Sequence, residues 1–192
     1  LIPGRACGEC SACCVVPNVD TPEFQKFSQT PCTHLRTGGG CAIHATRFPV
    51  CRTYHCAWRY LKGLSEEWRP DKSGILLDFQ MEGIPAHYPK RPGIRLTPTA
   101  STEALFAPAC LTFLSGLVFA EVPVVLSIPG PPGHFPAATF LNDMLREAVN
   151  THDADKIVGV LRGILGDGLN DCANILTSQL LSLADHSPVD IY

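Results

Sequence analysis

Apolar residues from Leu1 to about Asp71 follow neither a helical nor a strand period, whereas from Ile75 onward they fall into runs and stripes with recognisable spacing. The later part therefore predicts regular elements. Ile75 to Met81 alternates partly and reads as a strand, and Ile94 to Thr97 as a second. Val122 to Ile128, rich in β-branched residues, reads as a third that Pro123 restricts to a strand start or an edge. Thr102 to Ala120 is apolar nearly all round and predicts a buried helix, beginning at Thr102 or only near Pro108. Pro136 suits the first turn of a helix to Val149, with Leu141, Met144, Leu145 and Val149 at helical spacing. Asp153 or Asp155 can cap a further helix to Leu165 that Gly166 ends. A last stripe, Cys172, Ile175, Leu176, Gln179, Leu180 and Leu183, predicts a helix over 169–184. The Pro- and Gly-rich stretch 127–136 reads as a shaped surface turn in which His134 is placed to face a cleft.

The expected class is α+β, with a small irregular cysteine-rich metal module packed on a domain of a few strands and three to four helices. RPDKSG, after Trp68, marks the junction and divides the chain into 1–72 and 73–192. Within the first part, Thr21 to Gln29 predicts a short helical turn with Pro22 at its first position and Phe24 and Phe27 packing on one side. A helix is also expected from about Cys51 toward Lys62. The triplet Gly38, Gly39 and Gly40 has no preceding strand and no following GK[ST]. It reads as a backbone turn toward Cys41 rather than a phosphate loop.

Composition changes the picture mainly through sulfur. Of ten cysteines, eight lie in the fifty residues from Cys7 to Cys56: Cys7, Cys10, Cys13, Cys14, Cys32, Cys41, Cys51 and Cys56. A stretch without its own apolar periodicity needs a staple, either disulfides or metal. The start LIPGRACGEC lacks a signal-peptide apolar run, so a cytoplasmic, reducing setting is expected and metal is favoured over disulfides. The apolar region from Ala104 to Pro129 is broken by Pro108, Thr112, Ser115, Glu121 and Pro123, so no membrane span is expected. A formal charge of −3 carries no electrostatic footprint for nucleic acid, which is excluded as a partner. A metal ion is the expected partner, and a protein partner is left open.

Cys7, Cys10 and Cys13 have the CxxCxxC spacing that wraps a corner of a [4Fe-4S] cluster, with a remote thiol such as Cys51 to complete it. Four thiolates from a local and a distant pair serve a zinc site equally well. Adjacent side chains usually diverge, so Cys13 and Cys14 point to more than one metal or to a spare thiol. Eight thiols permit two separate tetrathiolate sites, one cluster with unused thiols, or a bridged binuclear site. Cys51 and Cys56, five apart, stand about 140° apart around a helix and do not share a face. They serve different metals, or the helix starts after Cys51. His34, His44 and His55 could each replace a thiol or be surface residues. Arg47 and Arg52 flank Cys51, where a guanidinium favours the thiolate, or they belong to an ordinary exposed face. Cys110 and Cys172 lie in apolar helical stretches and are excluded from the site as small buried hydrophobes.

CGECSACC, PCTHL, GGCAIH and RFPVCRTYHCAW together resemble the CxxCxxCC, or YkgJ-type, family of zinc- or iron-chelating domains, over about Cys7 to Trp58. The resemblance implies that the eight cysteines are the chelating positions, with Arg47, Arg52 and Trp58 at family positions. The chain departs from the pattern at His44, where the family usually has Tyr, and at Phe48, where it usually has Pro. That family also includes a flagellin lysine methylase, so the resemblance implies as an alternative a metal-dependent modifying enzyme. A structural-zinc interaction module, with the apolar stretch near Val118 partly exposed, is the third expectation.

Overall fold

The structure, a computed structural model, describes residues 1–88, 92–130 and 136–166. Its class is α+β. The N-terminal stretch has α1 (Ala12–Val15), a hairpin of β1 (Val19–Thr21) and β2 (Phe24–Lys26), α2 (Pro49–Thr53) and α3 (Pro70–Ser73), joined by single 3₁₀ turns. Gly74, in the left-handed region at φ 72°, ends α3 and delivers the chain into a four-stranded sheet. That sheet runs in sequence order: β3 (Ile75–Gln80), β4 (Gly93–Pro98), β5 (Val124–Ile128) and β6 (Ala137–Phe140).

β3 and β4 are antiparallel, with Ile75 opposite Pro98 and Asp78 opposite Arg95. β4 and β5 are parallel, which requires a crossover, and α4 (Pro108–Phe119) supplies it. β5 and β6 are antiparallel with Val125 opposite Phe140. α5 (Asn142–Asn150) and α6 (residues 154–166) follow, with the Asp153 carboxylate accepting from the Lys156 amide at 2.9 Å as an N-cap. β5 is buried along its whole length, as an interior strand read from a continuous apolar run should be. Pro123 sits just before it, where no ladder bond is lost.

Several expected elements take another form. Residues 21–29 are not a helical turn. Thr21 Oγ1 accepts from the Phe24 amide at 3.1 Å, a side-chain bond that closes a tight turn at Pro22 and Glu23 and starts β2. Phe24 stacks on Phe48 at 4.6 Å, and Phe27 is exposed rather than packed beside it. The helix expected from Pro136 begins only at Asn142, because Ala137–Phe140 is drawn into the sheet by β5. The helix around Cys51 stops at Thr53, since Tyr54 turns extended at ψ 127°. The expected helix 169–184, with Cys172, and the loop residue His134 lie outside the described residues. No helix among the described residues is long and apolar enough to cross a membrane.

The two parts of the chain share one core. Val16, Cys56, Ala57, Trp58 and Leu64 from the first join Ile75, Leu77, Leu96, Leu114, Leu126 and Leu145 from the second in a single buried cluster. The cysteine-rich stretch thus borrows apolar surface from the sheet, as its lack of periodicity requires.

Candidate metal centre

All eight candidate thiols lie in the N-terminal stretch, on loops and helix ends around α1, α2 and the hairpin. Cys7 and Cys10 occupy a turn closed by the Cys10 amide donating to the Cys7 carbonyl at 3.0 Å, and Cys13 and Cys14 sit in α1. Cys32 is tied to α1 by its own amide, which donates to the Cys14 carbonyl at 2.8 Å. Cys41 forms an isolated bridge with Leu35, and the Leu35 amide donates back to the Cys32 carbonyl at 3.0 Å, so Cys32 and Cys41 belong to one loop. Gly39 brings that loop against the first one. A Cβ there would stand 2.5 Å from the Glu9 carbonyl oxygen, and its φ of 101° also requires glycine. The glycine triplet therefore serves close backbone approach beside Cys10.

Cys7, Cys10, Cys13 and Cys56 line one cavity of about 30 Å³, together with Tyr54, His55 and Leu76. Within it Cys13 is in electrostatic reach of Cys7 and Cys10, and so is Cys56. Cys51 is instead within reach of Cys32, Cys14 and Cys41. The end of α2 between Cys51 and Cys56 sends these two thiols to different neighbours. Cys13 and Cys14, expected to diverge, share a thiol hydrogen bond and stand where the two sets meet. Among the described residues no three His, Cys, Asp or Glu side chains stand as a bound metal ion needs them.

The electrostatics differ from thiol to thiol. Cys13 donates its hydrogen to Cys14, which raises Cys13 and lowers Cys14 to about 7, helped by the nearby Lys26 ammonium. Burial pushes Cys56 up to about 11 and raises Cys10 and Cys51 as well. Lys26 is itself buried, and its Nζ donates to the carbonyls of Val15, Pro17, Phe27 and Thr30 at 2.6–3.0 Å. Burial lowers its pKa, while Cys32, Cys14, Cys13 and Cys51 raise it. Arg47 donates through Nε to the Cys51 carbonyl at 3.2 Å and lies close enough to favour the Cys51 thiolate. Arg52 is exposed.

Sequence reasoning missed two cations. Arg59 Nη1 donates to Cys7 Sγ at 3.4 Å, and its buried Nε has no hydrogen-bond partner among the described residues. Neither Arg59 nor Lys26 carries a local signal, because the thiols each faces are remote in sequence. Of the histidines, His55 lines the thiol cavity, and burial, then Arg59, lowers its pKa. His34 donates its backbone amide to Cys32 Sγ at 3.4 Å, and His44 is exposed against Arg47. Cys110 is buried in α4, away from the other thiols. The donor set, soft thiols beside fixed cations, has the chemistry that zinc and iron–sulfur clusters require. Comparison with protein-family models, curated proteins and solved structures returned no match.

Proposed function

We propose that the protein binds zinc or an iron–sulfur cluster through its clustered cysteines, and that the metal holds the N-terminal stretch in its fold. The observation that carries this reading is the cavity lined by Cys7, Cys10, Cys13 and Cys56, with Cys13, Cys14, Cys32 and Cys51 in reach of one buried lysine, Lys26, and Arg47 and Arg59 beside Cys51 and Cys7. Thiols are usually protonated at neutral pH, and metal ligation requires thiolates. Fixed positive charge lowers that cost. The bound metal would supply cross-links among four or more loops that bury little apolar surface of their own. The resemblance to the YkgJ-type family points the same way.

An enzymatic role beside these thiols has less support. The cavity lined by Cys7, Cys10, Cys13 and Cys56 is about 30 Å³, roughly a tenth of the smallest ordinary ligand pocket of about 300 Å³. It accommodates a small ion and not a peptide side chain with a methyl donor. As an interaction module, the protein would use Phe119, which is 71% exposed, rather than Val118, which is buried. The nine described cysteines are free thiols, which suits a reducing cytoplasm.

Anaerobic purification followed by elemental analysis and visible absorbance tests the reading. Zinc in a colourless protein, or iron with acid-labile sulfide in a brown one, is the expected result. A folded, metal-free protein with all eight thiols open to a thiol reagent overturns it.

A further inference from the structure

We infer that the outer edge of β6 is a pairing surface for a second copy of this chain, joined antiparallel about a two-fold axis at Thr139. β6 is the last strand of its sheet, with β5 on one side only. The Leu141 amide donates to the Val124 carbonyl at 2.9 Å, which makes these two residues a hydrogen-bonded pair. In an antiparallel ladder such pairs alternate with pairs that exchange no bond. With Leu126 opposite Thr139 and Ile128 opposite Ala137, residues 137, 139 and 141 therefore direct their backbone groups to β5. Ala138 and Phe140 direct theirs outward. Among the described residues none of these two amides and two carbonyls has a partner.

The two edges of the sheet are treated differently. Natural edges are kept from pairing by charges, prolines, bulges or a covering element. β3, the opposite edge, has such protection: it packs against the 3₁₀ turn Ala57–Arg59, Leu77 is fully buried and Asp78 carries a charge. β6 has none. Between Ala137 and Phe140 there is no charged residue and no proline, the register with β5 is unbroken, and Ala138 is exposed.

A second copy is the occupant because this edge is complementary to itself. The outward positions 138 and 140 lie symmetrically about Thr139, so an antiparallel copy sets Ala138 opposite the second copy's Phe140 and Phe140 opposite the second copy's Ala138. The two amides and two carbonyls of each chain then exchange four hydrogen bonds. Side-chain size agrees with this register. The Phe140 ring, packed edge-on against Tyr88 at 4.8 Å, comes beside a methyl group rather than a second ring. Thr139 meets its own counterpart across a pair without backbone bonds, where side chains come closest and two threonine hydroxyls can bond. The two four-stranded sheets become one of eight, and the two-fold uses up both β6 edges, so the contact closes at the dimer. The inference is independent of the metal-binding reading, since β6 carries no thiol.

The test measures the solution mass of the full chain by light scattering at rising concentration, under reductant so that free thiols cannot join copies. The wild type is expected to pass from 20.7 kDa to twice that mass and to grow no further. Ala138→Pro removes an outward amide and no bond to β5, so it is expected to keep the urea midpoint of the wild type. It deletes two of the four bonds across the axis and is expected to raise the dimer Kd by roughly tenfold or more. Ala138→Lys keeps the amide and puts a charge on the edge; it has the same expected effect and carries the test where the proline variant does not fold. Met81→Lys, at a residue 66% exposed just past β3, is expected to remain dimeric. Amide exchange followed by NMR on the wild type locates the contact, with Ala138 and Phe140 expected to slow as concentration rises. A monomer at every concentration, growth beyond the dimer, a dimer that both Ala138 variants leave intact or that Met81→Lys dissociates, or added protection confined to other strands overturns the inference.

Discussion

Tyr54 donates its phenolic hydrogen to the carboxylate of Asp78, tying the turn before Cys56 to the middle of β3. Asp78 is only 4% exposed, and its other oxygen receives Arg95 Nη2 from the opposite register position of β4 at 3.2 Å. Burial first, then the Asp78 charge, holds the Tyr54 hydroxyl well above the usual phenol range, so it remains a donor at any pH the fold survives. Tyr54→Phe removes one of the partners of a buried charge. The expected loss is about 1–3 kcal/mol in urea unfolding, since a buried group left short of a bond bears the full desolvation cost. A loss below about 0.5 kcal/mol, the range of ordinary surface changes, would show that the bond does not hold the two parts together.

Lys26 is the second such tie. Its ammonium has three hydrogens, and four carbonyls from Val15, Pro17, Phe27 and Thr30 lie within bonding distance, which closes the hairpin over α1. Lys26→Met preserves much of the stem and removes the charge. Leaving the carbonyls without their common charged donor is expected to cost about 1.5–3 kcal/mol, the value of hydrogen bonding to a charged group. On the metal-binding reading proposed above, the same variant is expected to bind Zn²⁺ more weakly, because Cys14, Cys32 and Cys51 lose a buried cation in their electrostatic reach. Denaturant midpoints with and without metal separate the two effects. Unchanged stability in the metal-free protein would refute the structural part.

Arg5 performs a related task at the N-terminus. Its Nη1 donates to the carbonyls of Trp58 and Leu61 and its Nη2 to that of Leu64, and the guanidinium lies 5.1 Å from the centre of the Trp58 ring. The planar fork satisfies carbonyls on two sides of the turn that follows Cys56, which a lysine ammonium cannot match. Arg5→Lys is therefore expected to cost about 1.5–3 kcal/mol, the value of a hydrogen bond to a charged group, and to shift Trp58 fluorescence. Arg5→Lys with wild-type stability and spectrum would assign those carbonyls to other partners.

Much of the sheet was legible because its strands carry their own signals. The β-branched run of β5, the partial alternation of β3 and Pro108 at the first turn of α4 all fall where their residue types put them. The failures have a common physical cause, the tertiary override of a local preference. Pro22 suits a helix start as well as a turn, and the Thr21 side chain on Phe24 decides for the turn. Ala137–Phe140 has no strand period of its own and is a strand because β5 offers an unpaired edge. The candidate ligands were legible as a set, since cysteine spacing is local, but their neighbours were not. No spacing rule reveals that helix α2 ends between Cys51 and Cys56, or that Arg59 meets Cys7 across 52 positions.

Cys110 provides a thiol outside the clustered eight, and its behaviour is set by packing alone. It is 2% exposed in α4, and burial pushes its thiol up to about 12. An unfolded cysteine ionises near 8.5, so the folded value is the higher one. Its contribution to stability is therefore complete below about 8.5 and is lost as pH rises from there toward about 12, because the unfolded chain releases the proton first. Two outcomes follow. At pH 8 N-ethylmaleimide is expected to leave Cys110 unmodified in folded protein and to modify it in urea, as read by peptide mapping. Between pH 9 and pH 11 wild-type stability is expected to fall more steeply than that of Cys110→Ala, whose alkaline slope lacks this proton. Rapid modification of Cys110 in the folded state, at the rate of exposed Cys7, would mean that α4 opens far more often than its buried face allows.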